Sequence, residues 1–199
     1  MKKFIAALSL LLITTSCVET VVVGSFATVS VVTREKTISA TADDVYIAAQ
    51  IDKNFLTNGL KGFSNSVGVS INEGRVLLTG IIRDADKGRA AVEIAWKTAG
   101  VKEVIDEIEV SKDGIKMRDF SGIISDSYIT SLIKTKLFFH QQIFPANYKV
   151  TTFNNVVYLI GVYKTEADLK ELLRIVSKTQ GVKKVVNYVI SADDNRRKS

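Results

Sequence analysis

The chain is short of the side chains that most often catalyse or hold metals. Among its 199 residues there is one cysteine, one histidine, one proline and one tryptophan. With Cys17 alone, no internal disulfide can form. One thiol and one imidazole are too few for a zinc-type site built from sulfur and nitrogen ligands. His140 lies in a Phe-Phe-His-Gln-Gln stretch with no acidic residue beside it, so no Ser-His-Asp set can be assembled from the sequence. Gly80 and Gly161 close apolar stretches, and neither opens a G-x-G-x-x-G phosphate cradle. Their expected role is to let a helix approach the sheet closely. No pattern calls for a cofactor or a metal. These absences argue against an enzyme and for a binding protein.

A hydrophobic run long enough to cross a membrane is also missing. The apolar stretch Phe4 to Ile13 falls well short of the roughly 20 residues a spanning helix needs. It follows Met1-Lys2-Lys3 and precedes Thr14-Thr15-Ser16-Cys17. A charged start, an apolar middle and small residues at the end make a secretory signal over residues 1–16. Cysteine directly after small residues resembles the lipobox of bacterial lipoproteins, with Ser16 and Thr15 in the small positions and Thr14 where leucine is usual. That resemblance implies that Cys17 is acylated and becomes the new N-terminus. Val18, where aspartate would retain a lipoprotein at the inner membrane, implies the outer membrane, facing the periplasm. Acyl chains contribute about 0.8 kcal/mol per buried CH₂, so two or three of them anchor a protein stably. Val18 to Val32 is a second apolar stretch, lying on the membrane or packing as a strand; a membrane span is the alternative, against which Glu19 and the short length argue. Arg34 to Thr41 reads as a linker, within a lipidated N-terminal region of residues 17–43.

Beyond this the chain repeats itself at a spacing of about 81 residues. Val76-Leu77-Leu78-Thr79-Gly80 aligns with Val157-Tyr158-Leu159-Ile160-Gly161. Gly100-Val101-Lys102-Glu103-Val104 aligns with Gly181-Val182-Lys183-Lys184-Val185, and Asp44-Val45-Tyr46-Ile47 with Asp126-Ser127-Tyr128-Ile129. In each copy an aspartate is expected to cap a helix whose apolar residues recur at helical spacing: Ile47, Ile51 and Phe55, or Ile129, Ile133 and Leu137. Two strands follow, joined by Asn72-Glu73-Gly74 or Asn154-Asn155, residues that tolerate positive φ. A second helix spans about Asp84 to Thr98, or Thr165 to Thr179. Gly100 and Gly181 follow it, where a left-handed residue is wanted. Last come strands at Lys102 to Val110 and Lys183 to Ser191. The fold class is therefore α+β: two αββαβ modules, each a three-stranded mixed sheet packed against two helices. The modules occupy residues 44–113 and 126–191, with a linker at 114–125 and a basic tail at 192–199.

Aspartate, an aliphatic helix, V-x-L-x-G and then a helix ending in G-V-K-x-V resembles the BON domain, over Asp44 to Val110 and again over Asp126 to Ile190. A lipobox followed by two such modules is similar to the dual-BON outer-membrane lipoproteins, which are lipid-binding envelope-maintenance proteins. The resemblance implies contact with anionic phospholipid, and in those proteins an aromatic residue, typically tryptophan, stands where Tyr128 stands here.

Charge separates the two copies. Asp44 to Val110 holds 8 basic and 10 acidic residues, net −2, whereas Asp126 to Ile190 holds 9 basic and 4 acidic, net +5. The whole chain carries +6. A basic, exported, anchored module finds its largest anion in the membrane, where each Lys or Arg contributes about 1 kcal/mol. If Ile129, Ile133 and Leu137 face the sheet, then Tyr128, Ser131, Lys134, Thr135 and Phe138 face outward and form the candidate phospholipid-binding residues. Trp96, at helical spacing from Val92, is expected in the core or between modules. Arg196-Arg197-Lys198 is expected to be a disordered tail that attracts anions. Export removes nucleic acid as a ligand, and aromatic platforms are lacking beside the basic stretches. The alternative reading is a lipid-tethered module that grips an envelope protein or peptidoglycan.

Overall fold

The structure, a computed structural model, describes residues 38–60, 66–111 and 120–197, all within the compact unit Val32–Ser199. Cys17, the signal segment and the valine-rich stretch lie outside the described residues. The first module runs α1 (Ile38–Thr57), β1 (Val67–Asn72), β2 (Arg75–Ile82), α2 (Ala85–Lys97) and β3 (Glu103–Val110). The second repeats it with α3 (Phe120–Phe138), β4 (Tyr148–Phe153), β5 (Val156–Tyr163), α4 (Glu166–Ser177) and β6 (Lys184–Ser191). Each sheet has its second strand in the centre, antiparallel to the first and parallel to the third. This is the expected α+β pair of αββαβ modules.

Local chemistry accounts for most boundaries. Asn72 pairs with Arg75 and Phe153 with Val156, leaving two-residue hairpin loops. Their residues all have positive φ: Glu73 at 53° and Gly74 at 79°, Asn154 at 52° and Asn155 at 64°. That is the type I′ turn whose twist matches the strands it joins. Asp84 caps α2 by accepting from the N–H groups of Asp86 and Lys87. Thr165 and Asp168 cap α4 reciprocally. Gly100 and Gly181 have φ of 87° and 91° and lie against the δ-methyls of Ile47 and Ile129, where a Cβ would sit at 3.0 and 2.9 Å.

Three expectations are corrected here. Asp44 and Asp126 do not cap helices, because α1 begins at Ile38 and α3 at Phe120. Their carboxylates instead accept from the hairpin turns: Asp44 from Glu73 and Gly74 at 3.0 and 2.9 Å, Asp126 from Asn154 and Asn155 at 2.9 and 2.8 Å. Gly80 and Gly161 lie within strands, and what approaches them is backbone, not a helix. A Cβ would meet the Ser66 carbonyl at 2.2 Å or the Asn147 carbonyl at 2.4 Å. Finally, Arg196 and Arg197 are engaged by the first module. Arg197 donates to both Glu73 carboxylate oxygens at 2.7 and 3.0 Å, Arg196 lies 3.5 Å from Glu103, and Lys102 donates to the Arg197 carbonyl at 2.7 Å.

Each module buries one helix-facing core. Ile47, Ile51 and Phe55 of α1 meet Val67, Ile71, Val76 and Leu78; Ile129, Ile133 and Leu137 of α3 meet Val150, Val157 and Leu159. A third core joins the two sheets by their other faces, through Leu77, Ile105, Phe153, Tyr158 and Ile160. The central strands β2 and β5 are thus covered on both sides, which explains why they read as almost unbroken apolar runs. The order of layers is helices, sheet, sheet, helices.

Residues one repeat apart meet across this junction. Ser70 and Thr151 share a hydrogen bond of 2.7 Å, and Tyr188 donates to Glu107; the members of each pair are 81 residues apart. Equivalent residues touch each other only at a local two-fold axis, so the modules pack isologously. Arg75, 1% exposed, bridges the junction by donating to Glu103 at 2.5 Å and to the Tyr188 carbonyl at 2.9 Å. Removing one partner of such a buried charge costs about 3–5 kcal/mol.

Candidate functional site

Helix α3 is apolar on two opposite faces, and only one has a sheet to cover it. Ile129, Ile133 and Leu137 are buried against β4 and β5. Ile124, Tyr128, Ser131, Thr135 and Phe138, alternately four and three residues apart, form a second stripe that points to solvent. Tyr128 is 57% exposed and Phe138 72%. Lys134 is exposed on the same side. The structure therefore brings the five candidate residues Tyr128, Ser131, Lys134, Thr135 and Phe138 onto one outward face.

The sequence reading missed several neighbours of this face. Phe139, 76% exposed, stands edge-on to Phe138 with ring centroids 5.2 Å apart. Ile123 and Ile124 extend the stripe towards the start of the helix. A groove of about 540 Å³ opens beside Lys134 and Phe138, reaching Pro145 and Lys149. The missed signal was the consecutive Phe138-Phe139 at the end of a helix whose buried stripe already stops at Leu137. Ser131 donates to the Ser127 carbonyl at 2.9 Å, so its hydroxyl satisfies itself within the helix. Lys136 is tied down by Thr179 at 3.1 Å.

His140 closes the helix end. Its Nε2 lies 3.0 Å from Glu171 of α4, an acidic neighbour that sequence proximity could not reveal, and its Nδ1 accepts from the Gln142 N–H at 3.3 Å. Both ring nitrogens are thus engaged by the protein. Glu171 also takes two hydrogen bonds from Arg174 at 2.6 Å. Arg174 foremost, with His140 adding to it, holds the Glu171 carboxyl down at about 2. No group of three or more His, Cys, Asp or Glu among the described residues is placed to hold a metal. No helix among them is long and apolar enough to cross a membrane.

Trp96 is not in a core. It is 50% exposed on the outer side of α2, over a shallow groove shared with Arg89, Val92, Glu93, Lys97 and Asp106. The helical spacing from Val92 is real, but the stripe it marks lies beside the buried one of Gly88, Ala91 and Ala95.

Fold and surface together define a tandem αββαβ protein whose distinguishing exposed feature is an aromatic, basic helix face. The BON domain family matches residues 43–112 and 125–192, and the chain belongs to it. Among its curated relatives, an uncharacterized protein in the gshII 5' region of Anaplasma centrale is 37% identical over 74% of this chain and 93% of its own length. The outer membrane lipoprotein DolP of Haemophilus influenzae is 29% identical over 94% of each chain. The osmotically-inducible protein Y of Escherichia coli is 29% identical over 73% of this chain and 71% of its own.

Proposed function

We propose that the protein is an exported, lipid-anchored component of the cell envelope that helps maintain it by binding anionic phospholipid through the outward face of α3. The observation that carries this reading is the exposure of Tyr128, Lys134, Phe138 and Phe139 on one side of the module with net charge +5. Aromatic rings of this kind settle at the water–lipid boundary, and lysine adds attraction to anionic headgroups. The internally bonded Ser131 can approach lipid without leaving its hydroxyl unpaired. The name of the Haemophilus relative supports an outer-membrane address. Met1 to Cys17 supplies the export signal and the acyl acceptor, which would leave the protein on the periplasmic face. In this reading the protein binds and does not catalyse.

The test uses residues 32–199, which contain all three cores and no acyl site. They are sedimented with anionic or zwitterionic vesicles at low and high salt. Selective binding to anionic vesicles, weakened by salt, by Tyr128→Ala and by Lys134→Glu, is expected. Binding that ignores both substitutions would move the site. No binding at any salt would leave a tethered module that grips an envelope protein or peptidoglycan.

A further inference from the structure

The residues after β6 fold back onto the hairpin end of the first module, and one side chain does most to hold them there. Arg197 donates to both Glu73 carboxylate oxygens at 2.7 and 3.0 Å, and its remaining guanidinium nitrogen donates to the Ala192 carbonyl. The Arg197 carbonyl accepts from Lys102 at 2.7 Å. Arg196, paired with Asp194 at 2.7 Å, lies 3.5 Å from Glu103. These fastenings are all charge-assisted.

Glu73 is an unusual residue for its position. It has a φ of 53° in a type I′ turn, a conformation that suits glycine or asparagine and disfavours glutamate. The second module has Asn154 at the equivalent place, with a φ of 52°. Both turns are clamped by an aspartate, Asp44 or Asp126, so the clamp does not call for an acid here. What glutamate adds over asparagine is a carboxylate within reach of Arg197, and that side chain is only 11% exposed.

The folded-back segment also walls a cavity. A space of about 710 Å³ lies at this end of the first module, between α1, the hairpin turn and the loop from α2 to β3. Ala40, Tyr46 and Ile47 line it from α1 and Ala99 from the loop, while Ala192 and Arg197 form a further wall.

We propose that residues 192–197 are an ionic strap that closes this cavity, with Glu73 as its catch, and that salt opens it. Salt screens exposed charges more than buried ones, so the half-exposed Arg196 lets go before the Arg197–Glu73 pair does. With the strap released, the cavity becomes an open groove along α1. The strap involves no residue of α3 and does not require lipid binding.

Amide exchange of residues 32–199 at low and high salt tests this. It is read at Asp194 and Arg197, whose N–H groups donate to the Ser191 and Asp194 carbonyls. Glu73→Asn is the deciding variant, because it suits the turn and removes only the catch. Exchange at both amides should quicken at least about tenfold, the loss of a charge-assisted pair, and become nearly independent of salt. The Gly74 amide, held by Asp44, should keep its wild-type rate, which separates strap opening from unfolding. Arg197→Gln should act alike, and the two substitutions together should do no more than either alone. In wild type, salt should raise the rates towards those of the variants. Cavity access is read by Ala40→Cys, the sole thiol in residues 32–199, whose alkylation should quicken in step with the strap amides. Strap amides indifferent to Glu73→Asn or to salt overturn the proposal, as do additive effects of the two substitutions. Alkylation that stays slow while the strap amides exchange fast also overturns it, since the strap would then close nothing.

Discussion

The Asp126 carboxylate accepts the backbone N–H of Asn155 at 2.8 Å, and so ties α3 to the hairpin turn between β4 and β5. Asp44 repeats this on Gly74 at 2.9 Å. In each module a second bond, to Glu73 or Asn154, completes the clamp on a turn whose residues have positive φ. Asp126→Ala removes two charge-assisted bonds and leaves the turn's donors short of acceptors. It should cost about 2–4 kcal/mol. Asp126→Asn should recover only part of this, since one of its two terminal atoms is a donor. Urea unfolding reads the loss. Helix content should stay near the wild-type value, whereas an N-cap would fray the helix on removal.

Much of this architecture is legible in the sequence. The duplicated V-x-L-x-G and G-V-K-x-V segments give the modules, and Asn-Glu-Gly and Asn-Asn give the turns. What hides is anything contributed by residues distant in sequence. Asp44 looks like a cap because it sits near a helix start, and only the hairpin's return past α1 shows otherwise. Val76-Leu77-Leu78 reads as alternation around Leu77, yet Leu77 is buried too, because the other sheet covers it. The unbroken apolar run was the available clue. On α3 the outward residues follow from helical periodicity alone, but Phe139, Lys149 and the Glu171 partner of His140 depend on how neighbouring elements fold back.

Tyr188 should make the module junction sensitive to alkali. Burial, then its bond to Glu107, pushes its hydroxyl up to about 12. Tyr158 beside it is raised as well, by burial and by Glu107 and Glu109. A folded-state value above the unfolded one near 10 means the folded chain holds its proton longer. The contribution is complete below pH 10 and is lost as pH rises towards 12. Urea midpoints across that range should fall for wild type and fall less for Tyr188→Phe, with Tyr158 supplying the remaining slope. An unchanged slope would mean that the phenol is solvated.

Glu171 gives the opposite window. Its carboxyl is held at about 2, from an ordinary 4.5, by Arg174 first and by His140 to a lesser degree. Its stabilising effect is therefore present above pH 4.5 and is lost as pH falls through 2. Glu171→Gln should remove that part of the acid slope. It should also loosen His140, and with it the Phe138-Phe139 end of α3, seen as faster amide exchange at Phe139 and His140. Because the cluster is exposed, the stability change at neutral pH should be small.

If charge and aromatic area on an α-helix face decide which module binds lipid, the preference can be moved. Replacing Asp52 by Lys gives α1 the charge that Lys134 gives α3. Replacing Leu56 by Phe gives it the ring of Phe138. One lysine near an anionic surface contributes about 1 kcal/mol, so reversing an acidic position gains about 2 kcal/mol, some thirtyfold in affinity. In a chain already crippled by Lys134→Asp and Phe138→Ala, Asp52→Lys with Leu56→Phe should restore much of the binding to anionic vesicles. Tyr46, which occupies the place of Tyr128, then becomes necessary, and Tyr46→Ala should abolish the rescue. Failure of the rescue, with both modules folded, would mean that the exposed stripe is not enough. The groove of Lys149 and Pro145, outside the exchanged residues, would then be part of what α3 uses and α1 lacks.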